Sequence, residues 1–588
     1  MKNFIPAAVG ITVLATGIFV APPFYLSLLT FAGTDALIVL ALGLLMRAGQ
    51  VSLGHAAFAG IGAYAAALLS REVGISPWLA LPAGAAFAAA AAGPIGLVTL
   101  RLRGTYLPLA TLAVGIACYV VFNGAEITGG SSGLDGIPPL MLFGEPLGPR
   151  TIAMLTWSVV IAVTLASVQL MRSRIGRAVR TFEHHEAVAV TFGVDIARVK
   201  ITIFIVSAAV AGLAGALYAF HTRFISPTPF GAGSSFTFLI MVMLGGAAHP
   251  VGAVIGALTV GVINLLLQTF FSGLIDRIGP IEPVIFGVLL VVLLLRWPNG
   301  IWSFIAPFLG NDTTLRGAAP ASSKPTKAKA TITGQPGQPP LLELIEVDKR
   351  FGGIQALTKL SIKIPPGQII GLVGPNGAGK STAFNIMSGL SQPSAGAVCF
   401  RGGPMPKDTQ DVVSCGIART FQHVKLVGDM MVADNVALGA YWRGRTGVLA
   451  GLAGANRAEE ADVMTSAMAA LSKVGMADHA FTLADALPLG KQRLIEIARA
   501  LAADSTLLLL DEPAAGLRAG EKAALVGLIK DLQHDGLTIV LVEHDMNLVK
   551  GCVDHLIVLD RGTLLAEGKA NDVLRDAAVR AAYLGTGE

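Results

Sequence analysis

Charge is scarce in this chain, and cysteine is scarcer. Asp, Glu, Lys and Arg make up 14% of 588 residues and apolar residues 53%, where an ordinary soluble chain carries roughly 25% charge. A chain this poor in charge cannot be soluble throughout, so part of it belongs in lipid. The four cysteines, Cys118, Cys399, Cys415 and Cys552, lie far apart with no CxxC pair, which excludes a disulfide framework and a cysteine-built zinc site. Net charge is only +5, and the basic residues form no patch interleaved with aromatics. Nucleic acid is therefore not an expected partner.

What is abundant is apolar sequence, and it is confined to residues before about 309. At 588 residues the chain exceeds one hydrophobic core, so two or more domains are expected. A helix needs roughly 20 apolar residues to cross the hydrocarbon layer. The stretches 7–30, 35–69, 79–100, 106–122, 151–171, 200–220, 236–268 and 281–297 qualify. Two are long enough to be broken or re-entrant pairs, which predicts roughly eight to ten spans. Met1 to Ala21 reads as the start of the first span rather than a secretory leader, because its single Lys2 makes a weak basic region. Small residues crowd these segments, as in Gly60-Ile61-Gly62 and Gly212-Leu213-Ala214-Gly215, and let helix backbones approach closely. His55 and Arg47 lie near apolar spans; packing or loop anchoring is the favoured role for both over a place in the solute path.

Between about 171 and 200, Arg172, Arg174, Arg177, Arg180, Arg198 and Lys200 outnumber Glu183, Glu186 and Asp195. The positive-inside rule puts this loop in the cytoplasm. Within it, Glu186 and Ala187 begin a short amphipathic helix that Gly193 would stop, a shape suited to docking on another domain. Residues 309–340 lack apolar periodicity and are rich in Pro, Ser, Thr, Gly and Lys. A flexible coil of that length spans roughly 30 Å, enough to tether a domain beneath a membrane exit.

From Leu341 onward, short apolar strands alternate with amphipathic helices, the pattern of an α/β domain. The strand Ile369 to Val373 runs into Gly374-Pro375-Asn376-Gly377-Ala378-Gly379-Lys380-Ser381-Thr382, which matches GxxxxGK[ST]. Its glycines let the backbone wrap a phosphate chain, Lys380 reaches the outer phosphates, and Ser381 offers its hydroxyl to Mg²⁺. Far downstream, Leu507 to Leu510 end in Asp511-Glu512. Four leucines suit a strand buried on both faces, and its carboxyl end is where open α/β sheets bind ligands. Asp511 is then the carboxylate on the metal side, and Glu512 the candidate base for the attacking water.

With these motifs in order, residues 341 to about 568 resemble the ATP-binding cassette family. The resemblance implies that Gln422, in Arg419-Thr420-Phe421-Gln422, touches metal and water, and that His544, in Val542-Glu543-His544-Asp545, meets the γ-phosphate. It further implies that Phe351 stacks on adenine. The signature segment departs from the family's usual Leu-Ser-Gly-Gly-Gln: here Leu487-Pro488-Leu489-Gly490-Lys491 precedes a helix, and only the helix start and the Gly490 N–H remain to attract phosphate. Arg518 also stands where many cassettes carry Asp.

Both halves resemble the branched-chain amino acid importer group. The membrane half carries Gln50-Val51-Ser52-Leu53-Gly54-His55, Arg101-Leu102-Arg103-Gly104-Thr105-Tyr106, Thr128-Gly129-Gly130-Ser131-Ser132-Gly133-Leu134 and Ser173-Arg174-Ile175-Gly176-Arg177-Ala178. The cassette carries Ile417 to Gln422 and Asp511 to Leu517. The expected fold is multi-domain: an all-α polytopic transmembrane bundle (1–308), a flexible linker (309–340) and an α/β P-loop ATP-binding cassette with a helical subdomain (341–588). The resemblance implies ATP and Mg²⁺ as cofactors, and a place in the bacterial inner membrane with the cassette and C-terminus cytoplasmic. It also implies a second permease subunit, a second ATP-binding subunit and a periplasmic solute-binding protein as partners. Similar importers carry urea, short amides or organic acids, so these solutes stay open. A homodimeric exporter of lipid or drug and an ATP-gated channel are the competing readings.

Overall fold

The computed structural model describes residues 15–99, 106–247, 249–278, 300–309 and 339–584, with residues 12, 285, 287, 288, 291, 292, 295 and 296 besides. The expected span at 281–297 and the linker at 309–340 fall largely outside these residues, as does the opening of the chain through residue 11. Contacts divide the chain into two units. The first holds Met1–Arg172, Ala197–Gly317 and Val448–Ala455; the second holds Ser173–Ile196, Ala318–Gly447 and Asn456–Glu588.

In chain order the amino-terminal helices are α1 (Pro23–Arg47), α2 (His55–Arg71), α3 (Pro77–Thr99), α4 (Tyr106–Gly124) and α5 (Pro149–Arg172). Then come the short α6 (Arg174–His184) and α7 (Glu186–Thr191), followed by α8 (Ile196–Thr222), α9 (Ala232–Gly245) and α10 (Pro250–Ile278). Among the described residues, six helices are long and apolar enough to cross a membrane: α1, α3, α4, α5, α8 and α10. The eight to ten spans expected include 281–297, which lies largely outside the described residues, and the shorter apolar helices α2 and α9 are not among the six. The sequence reading broke the chain near residues 30–35, at a run of Thr, Gly and Asp. Thr30 and Thr34 instead bond their hydroxyls back to Leu26 O (2.9 Å) and Phe31 O (2.8 Å), so α1 runs straight through. Both long stretches are broken as expected, between Arg47 and His55 and between Gly245 and Pro250.

Glycine packing holds this bundle together. A Cβ on Gly62 would stand 2.1 Å from Gly212 O, and one on Gly215 would stand 1.8 Å from Ala59 O, so α2 and α8 touch backbone to backbone. His55 and Arg47 both act as anchors here. The His55 ring nitrogens reach Ser52 Oγ (3.1 Å) and Ser207 Oγ (2.5 Å), and Arg47 Nε donates to Ala247 O at 2.8 Å.

Besides a two-stranded antiparallel pair in the first unit (Met141–Leu142 with Glu145–Pro146), the sheets lie in the second unit. β1 (Leu342–Phe351), β2 (Ile354–Ile364), β4 (Ala395–Phe400) and β5 (Gly403–Pro404) form an antiparallel sheet in the order β2-β1-β4-β5. The larger sheet runs β10 (Thr563–Lys569), β9 (His555–Asp560), β3 (Ile369–Val373), β8 (Thr538–Val542), β7 (Leu507–Asp511), β6 (Ile417–Arg419). Its members from β9 to β6 pair in parallel, and only β10 is antiparallel. Leu507 to Leu510 have no exposed surface, as a central parallel strand covered on both faces requires. Because β3, β8, β7 and β6 are parallel neighbours, the loops that leave their carboxyl ends emerge along one edge. Those loops carry Gly374–Lys380, His544, Glu512 and Gln422.

Candidate functional site

The site is built on that edge. After β3 the chain turns through Gly377 (φ +81°) and Gly379 (φ +94°), left-handed conformations that side chains resist. A Cβ on Gly379 would meet Leu357 Cδ2 at 2.7 Å, whereas Gly377 faces open space. Gly374 is buried and Asn376 exposed. The loop opens helix α11 (Lys380–Met387), whose amino end has no side-chain cap, so its first-turn N–H groups, including those of Ser381 and Thr382, are open to an anion. Lys380 Nζ lies at the loop's mouth on Gly374 O (2.7 Å) and Pro375 O (2.9 Å). Burial lowers its pKa, and the charge of Glu512 opposes that shift.

Glu512 is the hub. Its Oε1 meets Gln422 Nε2 at 3.1 Å and His544 Nε2 at 3.2 Å. Its backbone sits at φ +46°, a conformation that costs a non-glycine residue about 1–3 kcal/mol and that concentrates at functional sites. Tertiary bonds hold it there: Glu512 N donates to Val542 O at 2.9 Å, and Asp511 N to Thr420 Oγ1 at 3.1 Å. Burial raises the Asp511 pKa, while Arg419, 3.3 Å away, pulls it back.

Magnesium fits this donor set. Among the described residues no three His, Cys, Asp or Glu side chains cluster as a cage. Ser381, Gln422 and Asp511 are oxygen donors on adjoining loops, and a hard cation bound by few protein oxygens, with phosphate and water completing its shell, is how magnesium binds.

Phe351 ends β1 with 53% of its surface exposed and Lys349 Nζ 5.0 Å from its ring centroid, so it is not a core side chain. Gly490 has different neighbours from the rest. It lies in the first turn of α12 (Leu489–Ala502), where a Cβ would stand 2.6 Å from Glu521 Oε1. A carboxylate therefore already faces the helix start to which phosphate attraction was assigned.

Residues 186–193 lie within the second unit. Glu186 is exposed and Ala187 half-buried, while Val188, Ala189 and Phe192 are buried. Gly193, at φ +88°, is so close to Trp442 that a Cβ would stand 2.8 Å from that residue's Cβ. The sequence reading assigned the preceding arginines to membrane orientation. Two of them are also buried here on α6: Arg177 meets Glu460 at 2.7 Å, and Arg174 meets Glu459 at 3.1 Å and Tyr441 O at 2.6 Å. Arg419 is a further member of the site to which the sequence assigns no role. It joins Asp511 to Asn385 (2.7 Å) and Ser388 (2.8 Å), and its one sequence signal was a lone arginine in the apolar strand Ile417-Ala418-Arg419. Glu543 was another: its buried carboxylate accepts Ala514 N at 2.8 Å, and burial raises its pKa.

A phosphate loop and a clamped glutamate on a parallel sheet edge, joined in one chain to a bundle of membrane-length helices, define an ATP-hydrolysing, multi-pass membrane transporter. Family models agree along the chain: "branched-chain amino acid transport system / permease component" over residues 24–295, "ABC transporter" over 357–515, and "branched-chain amino acid ATP-binding cassette transporter" over 563–588. Over 250 residues the chain is 37% identical to the high-affinity branched-chain amino acid transport ATP-binding protein LivG of Escherichia coli (strain K12). It is 36% identical to BraF of Pseudomonas aeruginosa, a protein with the same description. Each match covers 42% of this chain and 98% of the relative. A crystal structure of a nucleotide-free ATP-binding cassette from an ABC transporter is 28% identical, with a TM-score of 0.38, over 42% of this chain and all of that one (100%). The chain belongs to the branched-chain amino acid family of ABC transporters, with permease and ATP-binding portions in one polypeptide.

Proposed function

We propose that the chain couples ATP hydrolysis to the import of branched-chain amino acids across the bacterial cytoplasmic membrane. Residues 1–308 act as permease, 309–340 as tether, and 341–588 as a cassette on the cytoplasmic side. The observation that carries the chemistry is the convergence of Gln422 and His544 on one oxygen of Glu512. Held this way, Glu512 aims its carboxylate at an attacking water and takes its proton, while His544 and Lys380 meet the charge that builds on the γ-phosphate. Phe351 offers an open face to the adenine ring. Ser381, Gln422 and Asp511 would hold Mg²⁺, which would neutralise charge shared between the outer phosphates.

One cassette does not complete its own site in this family, since the signature segment around Gly490 serves the partner's nucleotide. The chain therefore works with a second ATP-binding subunit and a second permease subunit, and a periplasmic solute-binding protein delivers the solute. Residues 186–193 carry cassette closure to α8, the membrane-length helix that follows them in the chain. ATP drives the cycle only through a difference in affinity between closed and open cassettes.

The test is reconstitution of the chain with those partners in vesicles. Labelled leucine should accumulate against its gradient in the presence of ATP, and Glu512→Gln should abolish the accumulation. Leucine that only equilibrates, or equal accumulation by the variant, refutes the proposal.

A further inference from the structure

The helix α12 that begins at the signature carries buried charge for which ATP chemistry has no direct use. Glu496 and Arg499 expose 1% of their side chains each, and Arg493 exposes 8%. Arg493 donates to Phe421 O (3.0 Å) and Gln422 O (2.5 Å). Arg499 donates to Lys425 O (2.9 Å) and to Glu496 Oε1 (3.1 Å), an oxygen that also accepts Lys425 N at 3.0 Å. The segment carrying Gln422 is thus pinned at both ends by one face of one helix. At the other end of the cluster the Arg499 guanidinium lies over the ring of Phe192, 5.4 Å from its centroid, and Phe192 is fully buried.

Stability alone does not account for this cluster. Buried ion pairs replaced by apolar residues of similar volume often leave a protein as stable or more so. Here the satisfaction is also incomplete: Glu496 Oε2, Arg493 Nε and Arg499 Nε have no hydrogen-bond partner. Glu496 Oε2 lies 3.7 Å from Arg493 Nη1, beyond a good hydrogen bond but within reach of a small rotation. A small rotation of this carboxylate would exchange the observed arrangement for one in which Oε2 bonds Arg493, and a coupling element needs two such alternatives.

We propose that Glu496 is a positioning residue that, with Arg493 and Arg499, ties the seating of Phe192 to the placement of Gln422 and so to Glu512. The inference rests on the reading that residues 186–193 transmit cassette closure. Glu496 touches neither nucleotide nor water in this scheme. It sets where Gln422 sits by holding Arg493, and it feels the docked segment through Arg499.

The experiment uses the full chain reconstituted with its partner subunits and leucine-loaded binding protein, and compares Glu496→Gln, the apolar pair Glu496→Leu with Arg499→Met, and Phe192→Ala. Solute taken up per ATP hydrolysed, basal ATPase and thermal melting are read for each. The expected result is that the apolar pair melts with the parent protein, that Glu496→Gln melts lower because it leaves two buried guanidiniums without their carboxylate, and that both, assayed where they are folded, lose about tenfold in solute per ATP. Phe192→Ala should melt lower, since it leaves a cavity where a fully buried ring stood, and should lose solute per ATP to the same extent, with no further loss when combined with Glu496→Gln. Conservative Glu496→Asp should restore part of the coupling. Loss of ATPase and uptake in proportion to a lowered melting temperature would make the cluster merely structural and overturn the proposal. Phe192→Ala uncoupling while Glu496→Gln does not would overturn the relay alone. Full coupling in Phe192→Ala would overturn the underlying reading of residues 186–193.

Discussion

Replacing Gly193 with alanine separates docking from chemistry. Gly193 follows α7 at φ +88°, where an L-residue costs roughly 1–2 kcal/mol. The new methyl would also stand 2.8 Å from Trp442 Cβ and 3.3 Å from Trp442 Cα and Val413 Cγ1, and overpacking of this kind costs about 1–3 kcal/mol. The sum, about 2–5 kcal/mol, disfavours the docked segment by roughly 30- to 3000-fold at 1.4 kcal/mol per decade. None of it falls on the phosphate loop. In vesicles with partner subunits, Gly193→Ala should therefore lose more than about tenfold in leucine uptake while its affinity for a fluorescent ATP analogue stays within about twofold. Gly527→Ala, where a Cβ meets nothing within 4 Å, is the control and should match the parent. Uptake by Gly193→Ala equal to that of the control would refute the docking argument.

Three further outcomes are expected. Glu512→Gln keeps a hydrogen-bonding side chain between Gln422 and His544 but cannot take a proton, so ATP turnover should fall about 10²- to 10⁴-fold with ATP binding retained; turnover within tenfold of the parent would argue for another base. Glu521→Gln removes the negative charge facing Gly490, 2.6 Å from where its Cβ would stand, and should lower the KM for ATP of the assembled transporter about two- to fivefold; an unchanged KM would separate Glu521 from that site. Burial by itself would raise the pKa of Glu459, but bonds from Arg445 N and from Thr446, with the Arg174 charge, outweigh it and hold the pKa below 4.5. The stabilisation is present above that value and is lost as pH falls through the lower folded value. Glu459→Gln should then lower the melting temperature at pH 7, and the gap to the parent should close as pH falls through the depressed folded pKa of Glu459; a gap that stays constant on acidification would contradict the ion pair.

Local chemistry made part of this molecule legible from its sequence. The phosphate loop could be read because its turns need glycine at fixed spacing and its strand and helix flank it directly. Asp511-Glu512 could be placed because four leucines in a row demand a strand covered on both faces. Helix ends in the apolar half were harder. Thr30 and Thr34 satisfy their hydroxyls within α1, so residues that look like a loop sit inside a helix.

Tertiary structure decided the rest. Arg177 and Glu460, 283 residues apart, form one pair, and nothing near either in the chain announces the other. The meeting of Gln422 and His544 on one oxygen of Glu512 depends on three strands being parallel neighbours, as does the strained backbone that presents it. The sequence by itself determined which residues can bind phosphate and which segments must leave water, because those properties belong to short stretches of chain. Which charges share a buried space was left to the folded state, because an ion pair depends on distance in space and the chain order does not encode it.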